Sequence, residues 1–354
     1  MRRTPGVLAR HRGWLFAVVL AFVTRSHAAE GWSVTDSLDA TAAPQVGEYV
    51  TELFVDRRGT LWMGTLTEGL CRHDDTGFRC VGVDEGYTSG ALRAVAQDAQ
   101  GALWFGGQSG LTRWDGERFT AHTMPGGRAS TQIWSLLIDR HGRLWVGTEG
   151  GVYRRRGTRF EAVDLPGGEL PDATPRFTSR LAFAMTEDRQ GNVWLGMDGG
   201  GVLKFDGDRC TRYTRSEGLA SNDVTAIVED RDGALWFTSR TGGGITRFDG
   251  QAFRRFGAQE GLPAEEAWAA YRDRRGRLWF GTAGGGVARW DGTRFHALRD
   301  TTGVTRNHVQ SIVEDARGVM WFGFSGGLFR LVPAGLPGRV DRLVNVTRLG
   351  PWDP

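Results

Sequence analysis

From about residue 50 to residue 331 the chain alternates short apolar runs with polar breaks rich in Gly and Asp. Residues 224–256 hold one full unit of this pattern. Val224 to Asp230 is rich in β-branched residues and ends at an Asp-x-x-Gly turn, and Ala234 to Ser239 carries Trp236. A Gly-rich bend at Thr241 to Gly244 leads into Ile245 to Phe248. Asp249-Gly250 then offers the positive φ of a tight hairpin, and Gln251 to Phe256 returns. Runs of this length and composition predict four antiparallel strands.

The unit recurs seven times. Asp-x-x-Gly-x-x-Trp cores begin at Asp56, Asp98, Asp139, Asp188, Asp230, Asp273 and Asp315. Their tryptophans, Trp62, Trp104, Trp145, Trp194, Trp236, Trp279 and Trp321, are spaced by 42, 41, 49, 42, 43 and 42 residues. A period in the low forties predicts an all-β, seven-bladed β-propeller with four antiparallel strands per blade. The hairpin turn recurs as Trp114-Asp115-Gly116, Phe205-Asp206-Gly207 and Trp290-Asp291-Gly292, and is degenerate in the third repeat at Arg155-Arg156-Gly157. A lone blade has two apolar faces and unpaired edges, so it needs neighbours on both sides in a closed ring.

The last repeat reaches Gly327-Leu-Phe-Arg-Leu331 and then meets Pro333, Gly335, Pro337 and Gly338. Trp32-Ser-Val-Thr35 resembles the outer strands of other blades, so the expectation is a ring closed by this N-terminal outer strand. The propeller is then bounded at 29–332, and residues 333–354 are an unassigned tail.

Arg2, Arg3, Arg10 and Arg12 precede the apolar run Trp14 to Val23, and Ser26-His-Ala28 follows. Residues 1–28 therefore read as a secretory signal peptide, and the product as periplasmic or secreted. No stretch approaches the ~20 apolar residues of a membrane-spanning helix. The leader holds five arginines and no acid, so removing them from the 44 basic residues leaves 39 against 41 acidic ones. That balance gives no support to a nucleic-acid or anionic-membrane partner.

A tryptophan repeated at one position is what equivalent core packing requires, and aspartate at a tight turn accepts turn N–H groups. Asp230-Arg-Asp-Gly233 lacks the remaining ligands of a calcium loop. The histidines show no metal spacing, and no nucleotide-binding or nucleophile-elbow motif is present, so no cofactor is expected. Cys71 and Cys80 flank Asp74-Asp-Thr-Gly77. A two-residue turn there sets them opposite each other in a non-hydrogen-bonded pair, close enough for a disulfide in an oxidising compartment. Cys210 stands where other repeats have Phe119 or Phe253, and reads as a buried free thiol.

Antiparallel order puts the uniform Asp-x-x-Gly and Asp-Gly turns on one face and the varied loops on the other, where function is expected. Five residues before each motif aspartate, near the channel mouth, stand Thr51, Arg93, Trp134, Phe183, Thr225, Trp268 and Gln310. Packing alone would repeat one residue type there. Three aromatics, an arginine and hydrogen-bonding side chains suit a polar ligand with flat apolar faces, such as a sugar ring; the alternative is that they plug the channel. His308 lies in an inter-blade loop close by, and the 49-residue spacing marks an insertion at Leu165 to Arg176 that reads either as a lid or as a merely tolerated loop.

Glu217-Gly-Leu-Ala-Ser-Asn-Asp-Val224, the following Asp230-x-x-Gly-x-x-Trp and Gly-Gly-x-x-Arg-Phe-Asp-Gly250 together resemble the two-component regulator propeller repeat. The resemblance covers residues 32–331. It implies a periplasmic input module that recognises a small molecule such as an oligosaccharide. The sequence carries no second propeller, kinase or cyclase domain, so output is expected from another chain such as a sensor kinase or other membrane signalling partner. Asp232-Gly-Ala-Leu-Trp-Phe-Thr238 with Gly244-Ile-Thr-Arg is also similar to streptogramin lyase repeats. That likeness implies a Mg²⁺-dependent enzyme, for which His308 with Glu265, Glu266 or Asp198 is the candidate group. A protein-interaction scaffold is the third expectation.

Overall fold

Two oxygens of one carboxylate organise each repeat. In the computed structural model, which describes residues 49–74, 77–166, 175–207, 209–298, 308–332 and 341–346, Asp230 Oδ1 accepts the N–H groups of Asp232 and Ala234, both at 2.9 Å. Its Oδ2 accepts Trp236 Nε1 at 2.9 Å. The indole N–H reaches the motif aspartate in all seven repeats, at 2.7 to 3.2 Å. The glycine between them takes positive φ, 91° at Gly233. Opposite each tryptophan on the third strand stands a cation: Arg72, Arg113, Arg154, Lys204, Arg247, Arg289 or Arg330. Where it overlies the indole, as Arg113 does on Trp104 at 5.7 Å, it adds a cation–π contact.

The strands form seven four-stranded sheets, each antiparallel. The blades occupy residues 50–81, 92–122, 133–162, 182–213, 224–256, 267–298 and 309–345. Among the described residues the buried apolar side chains fall into seven clusters, one at each junction between neighbouring blades. One of them joins Val313, Trp321 and Leu328 of blade 7 to Val50, Leu53 and Met63 of blade 1, which closes the ring.

The closing strand corrects the sequence reading. Blade 7 takes its outer strand, Arg342–Asn345, from the segment left as an unassigned tail, and pairs it with Gly327–Val332 through Arg330↔Val344 and Leu331↔Leu343. All four strands of blade 7 therefore come from one end of the chain, and the outer edge proposed for an N-terminal strand is already filled. The propeller continues past residue 332. Trp32 to Thr35 and the leader, residues 1–28, lie outside the described residues.

Cys71 pairs with Cys80 across the outer hairpin of blade 1, and their sulfurs are bonded. Cys210 is free and half-buried, and burial pushes its thiol up to about 11. Among the described residues no helix is long and apolar enough to cross a membrane.

Candidate functional site

The seven variable positions share one backbone feature. Each inner strand skips a partner at its second residue: Leu92 pairs with Gly107 and Ala94 with Gly106, which leaves Arg93 in a β-bulge. The same shift isolates Thr51, Trp134, Phe183, Thr225, Trp268 and Gln310. A bulge re-aims its side chain and increases local twist. Here all seven bulges lie at the end where the inner strands begin.

Four of them meet. The Arg93 guanidinium lies 3.7 Å over the Trp134 ring, and its Nη1 donates to Gln132 Oε1 at 3.3 Å. Burial brings the Arg93 pKa down to about 10, opposed by the nearby Glu149 charge, so the cation persists at neutral pH. Trp134 meets Phe183 edge-on at 5.4 Å, and Phe183 of blade 4 meets Trp268 of blade 6 at 6.2 Å. Contact between non-adjacent blades means that the group reaches across the mouth. Arg93, Trp134, Phe183 and Trp268 are all half-buried. Trp268 Nε1 donates to Glu266 at 2.9 Å, whereas Trp134 Nε1 is buried without a partner.

The remaining positions act differently. Thr51 Oγ1 donates to the Leu92 carbonyl at 2.5 Å and Thr225 Oγ1 to that of Ala267 at 2.6 Å, so both hydroxyls tie an inner strand to the next blade. Gln310 occupies the equivalent bulge of blade 7 but is not in the aromatic group. His308 is engaged through its backbone, bridging Ala283 and accepting from Ser325 N at 3.0 Å.

The structure adds an aromatic that sequence reasoning missed. Phe177 sits 4.8 Å from Trp134 and 6.3 Å from Phe183, and is 43% exposed. Residues 167–174 of the insertion lie outside the described residues, but its end is held by Asp198. That buried carboxylate accepts the N–H groups of Arg176 at 2.9 Å, Phe177 at 2.6 Å and Thr178 at 3.2 Å. Arg240 then bridges Asp198 at 3.2 Å and Asp223 at 3.1 Å. The long Trp145 to Trp194 spacing was the available signal, since Phe177 directly follows the insertion.

This network also decides the fate of the candidate metal group. Asp198 spends its oxygens on the loop and on Arg240, and Glu266 accepts from Trp268. Among the described residues no three His, Cys, Asp or Glu side chains gather closely enough to hold a metal ion. The structure does not assemble His308, Glu265, Glu266 and Asp198 into such a site.

Residues 127–150, 218–241, 261–284 and 303–326 match the family model of the two component regulator propeller. No curated protein sequence matches the chain. Among solved structures, the chain is similar to the extracellular domain of BT3049 from B. thetaiotaomicron, described as a hybrid two component system. The TM-score is 0.66 with 20% identity, over 82% of this chain and 40% of that one. The corresponding domain of BT4673 from the same organism gives 0.60 and 19%, over 84% and 48%. Streptogramin B lyase gives 0.65 and 15%, over 82% and 95%. At these identities the likeness shows the fold. The chain spans less than half the length of the two extracellular domains.

Proposed function

We propose that this chain is an exported sensor-type propeller that binds a small polar molecule with a flat apolar face, an oligosaccharide being the leading class, and passes its signal to a membrane signalling partner on another chain. The observation that carries the reading is the Arg93, Trp134, Phe183 and Trp268 group. Four bulge positions that packing alone would fill alike instead hold a cation and three aromatics in edge-to-face contact, with one buried indole N–H that has no acceptor. Aromatic faces with a few polar groups among them suit sugar rings. The repeat match and the likeness to extracellular sensor domains support the sensor role.

The test is a thermal-shift and calorimetric screen of the chain against diverse oligosaccharides. A ligand at 100 times its dissociation constant adds about 2.7 kcal/mol of stability. Binding is expected to weaken at least roughly tenfold in Trp134→Ala and Trp268→Ala, in line with the loss of a hot-spot aromatic, while the unliganded fold persists. Sugar binding that survives both substitutions would refute the mouth as the site.

A further inference from the structure

The Asp-x-x-Gly turns join the two inner strands of each blade on the face opposite the mouth, and their charges are shared unevenly around the ring. The two residues after each motif aspartate are exposed in every blade. On blades 3 and 4 the arginine at the first of these positions is neutralised, Arg140 by Glu187 at 2.9 Å and Arg189 by Glu229 at 2.8 Å. On blade 5 Arg231 is followed by Asp232, and blade 2 has Ala99-Gln100. Blades 6, 7 and 1 differ. Their turns hold Arg274-Arg275, Ala316-Arg317 and Arg57-Arg58, five arginines and no acid.

These three turns adjoin. Arg274 Nη1 donates to the Ala316 carbonyl at 3.0 Å, and a Cβ on Gly59 would lie 3.5 Å from Ala316 Cβ. Among the described residues Arg57, Arg58, Arg274 and Arg275 have no ion pair. Glu314 accepts the Arg274 backbone N–H at 2.6 Å but is itself buried, and Asp56, Asp273 and Asp315 are spent on turn N–H groups and their indoles. The fold needs little of this positive charge. Arg57 ties blade 1 to blade 2 through the Asp98 carbonyl at 2.9 Å, yet Ala99 and Ala316 fill the same position in blades 2 and 7. The Arg58 and Arg275 side chains make no hydrogen bond among the described residues. Exposed arginines gathered without counter-charges repel one another, and each presents a fork of N–H groups matched to a carboxylate.

The cations stand on three separate turns, so they suit carboxylates spaced along a chain rather than one small anion. A flat anionic surface such as a membrane would also meet Asp115, Asp206, Asp249 and Asp291, which are exposed at the outer hairpins of the same face. Among the described residues the exposed large apolar side chains, Leu66, Val83 and Phe177, lie on loops of the mouth face, so the turn face offers none of them to lipid.

We propose that the turns of blades 6, 7 and 1 form a docking surface for a segment of a partner protein rich in aspartate and glutamate. As the contact through which a signalling partner reads this propeller it rests on the sensor reading above; the surface itself does not, because it lies on the face away from Arg93 and Trp134. Association through exposed charges is fast and salt-sensitive.

The experiment measures the fluorescence anisotropy of a labelled oligoglutamate peptide titrated with the chain at low and physiological salt, beside a labelled oligolysine peptide and phosphatidylglycerol vesicles. Saturable binding of oligoglutamate alone is expected, weakening as salt rises. Arg58→Gln with Arg275→Gln should weaken it about fivefold, the scale of two exposed ion pairs lost. Gln190→Glu with Gln251→Glu changes the net charge by the same amount on blades 4 and 5, beyond the patch, and should leave the affinity almost unchanged. All four side chains are exposed and make no hydrogen bond among the described residues, so both variants should fold. Trp134→Ala should leave peptide binding intact, so failure of the mouth and failure of this surface are read separately. No saturable peptide binding, equal weakening in the two double variants, or binding to vesicles in place of the peptide overturns the proposal.

Discussion

Carboxylates in this propeller face opposite electrostatic fates according to their neighbours. At Asp139, Asp230 and Asp273 burial works against the charge, but the indole N–H, turn N–H groups and an arginine outweigh it and lower the pKa. Their stabilising contribution is present above the ordinary carboxylate range and lost as pH falls through the lowered values. Glu52 is the reverse case. Four residues before each motif aspartate the other blades have Ala94, Ser135, Ala184, Ala226, Ala269 and Ser311. Glu52 alone brings a carboxyl into this ring of small side chains, where burial pushes it up to about 8 against weak help from Ser311 Oγ at 3.4 Å. A carboxyl raised in this way keeps in the folded state a proton that the unfolded chain has released. Its contribution is therefore full below about pH 4, the ordinary glutamate range, and lost as pH rises through the raised value. Glu52→Gln is thus expected to raise the melting temperature more at pH 8.5 than at pH 5. The gain at the higher pH should be a few kcal/mol, at roughly 2–4 °C for each kcal/mol. Melts at both pH values decide it, and equal shifts would mean that Glu52 titrates normally.

At the scale of strands, the spacing between blades is set by glycine. Two residues after the motif tryptophan six blades have Gly, and a Cβ there would collide with the next blade's inner strand: at Gly106 it would come within 2.4 Å of Ile133 Cγ2, and at Gly281 within 2.6 Å of Val309 Cγ1. Blade 5 has Thr238, and the facing residue is correspondingly small, Ala267; the Thr238 hydroxyl bonds Thr225 Oγ1 at 2.9 Å. Gly106→Ala is expected to cost about 1–3 kcal/mol by overpacking. Urea unfolding would register this as a lower midpoint at constant slope, and an unchanged midpoint would mean the blades part without penalty. A second junction device pairs the residue after the motif aspartate with the one before the next blade's aspartate. Arg57 meets Gln97, Arg140 meets Glu187, Arg189 meets Glu229 and Arg274 meets Glu314, whereas Ala99 and Ala316 stand at the junctions where those positions are Ile138 and Val55. The repeat motif, its strands and its turns were legible because each is local. These pairings were not, since they join positions about 40 residues apart that only the closed ring makes neighbours. The mouth was half legible for the same reason: variation at seven equivalent positions marked it, but Arg93 over Trp134, the threonine ties and the Asp198 anchor beneath Phe177 depend on which blades adjoin.

For the whole ring, stability rests on its one non-sequential junction, and the closing strand was the feature least legible in the chain. Arg342–Asn345 is four residues long, follows residues 333–340 rather than an Asp-Gly hairpin, and lacks the aromatic that marks other outer strands, whereas Trp32 has one. Its pairing with Gly327–Val332 covers the outer edge of blade 7, and Leu343 and Val346 are buried in the cores that blade 7 shares with blades 6 and 1. The Cys71–Cys80 bond lies at the same junction, with Cys71 in the core shared with blade 7. A short disulfide-closed loop contributes about 2–3 kcal/mol. Burying Leu343 and Val346 contributes about 1.5–3 kcal/mol each before ordering costs. Ending the chain at residue 340 should therefore lower the melting temperature sharply and expose an unpaired strand edge prone to association. Cys71→Ser should lower it less. Because both changes loosen one junction, their combination should cost less than the sum of the two, as neighbouring sites do. A thermal double-mutant cycle under oxidising conditions measures this, and strict additivity would mean that the outer strand and the disulfide stabilise the ring separately.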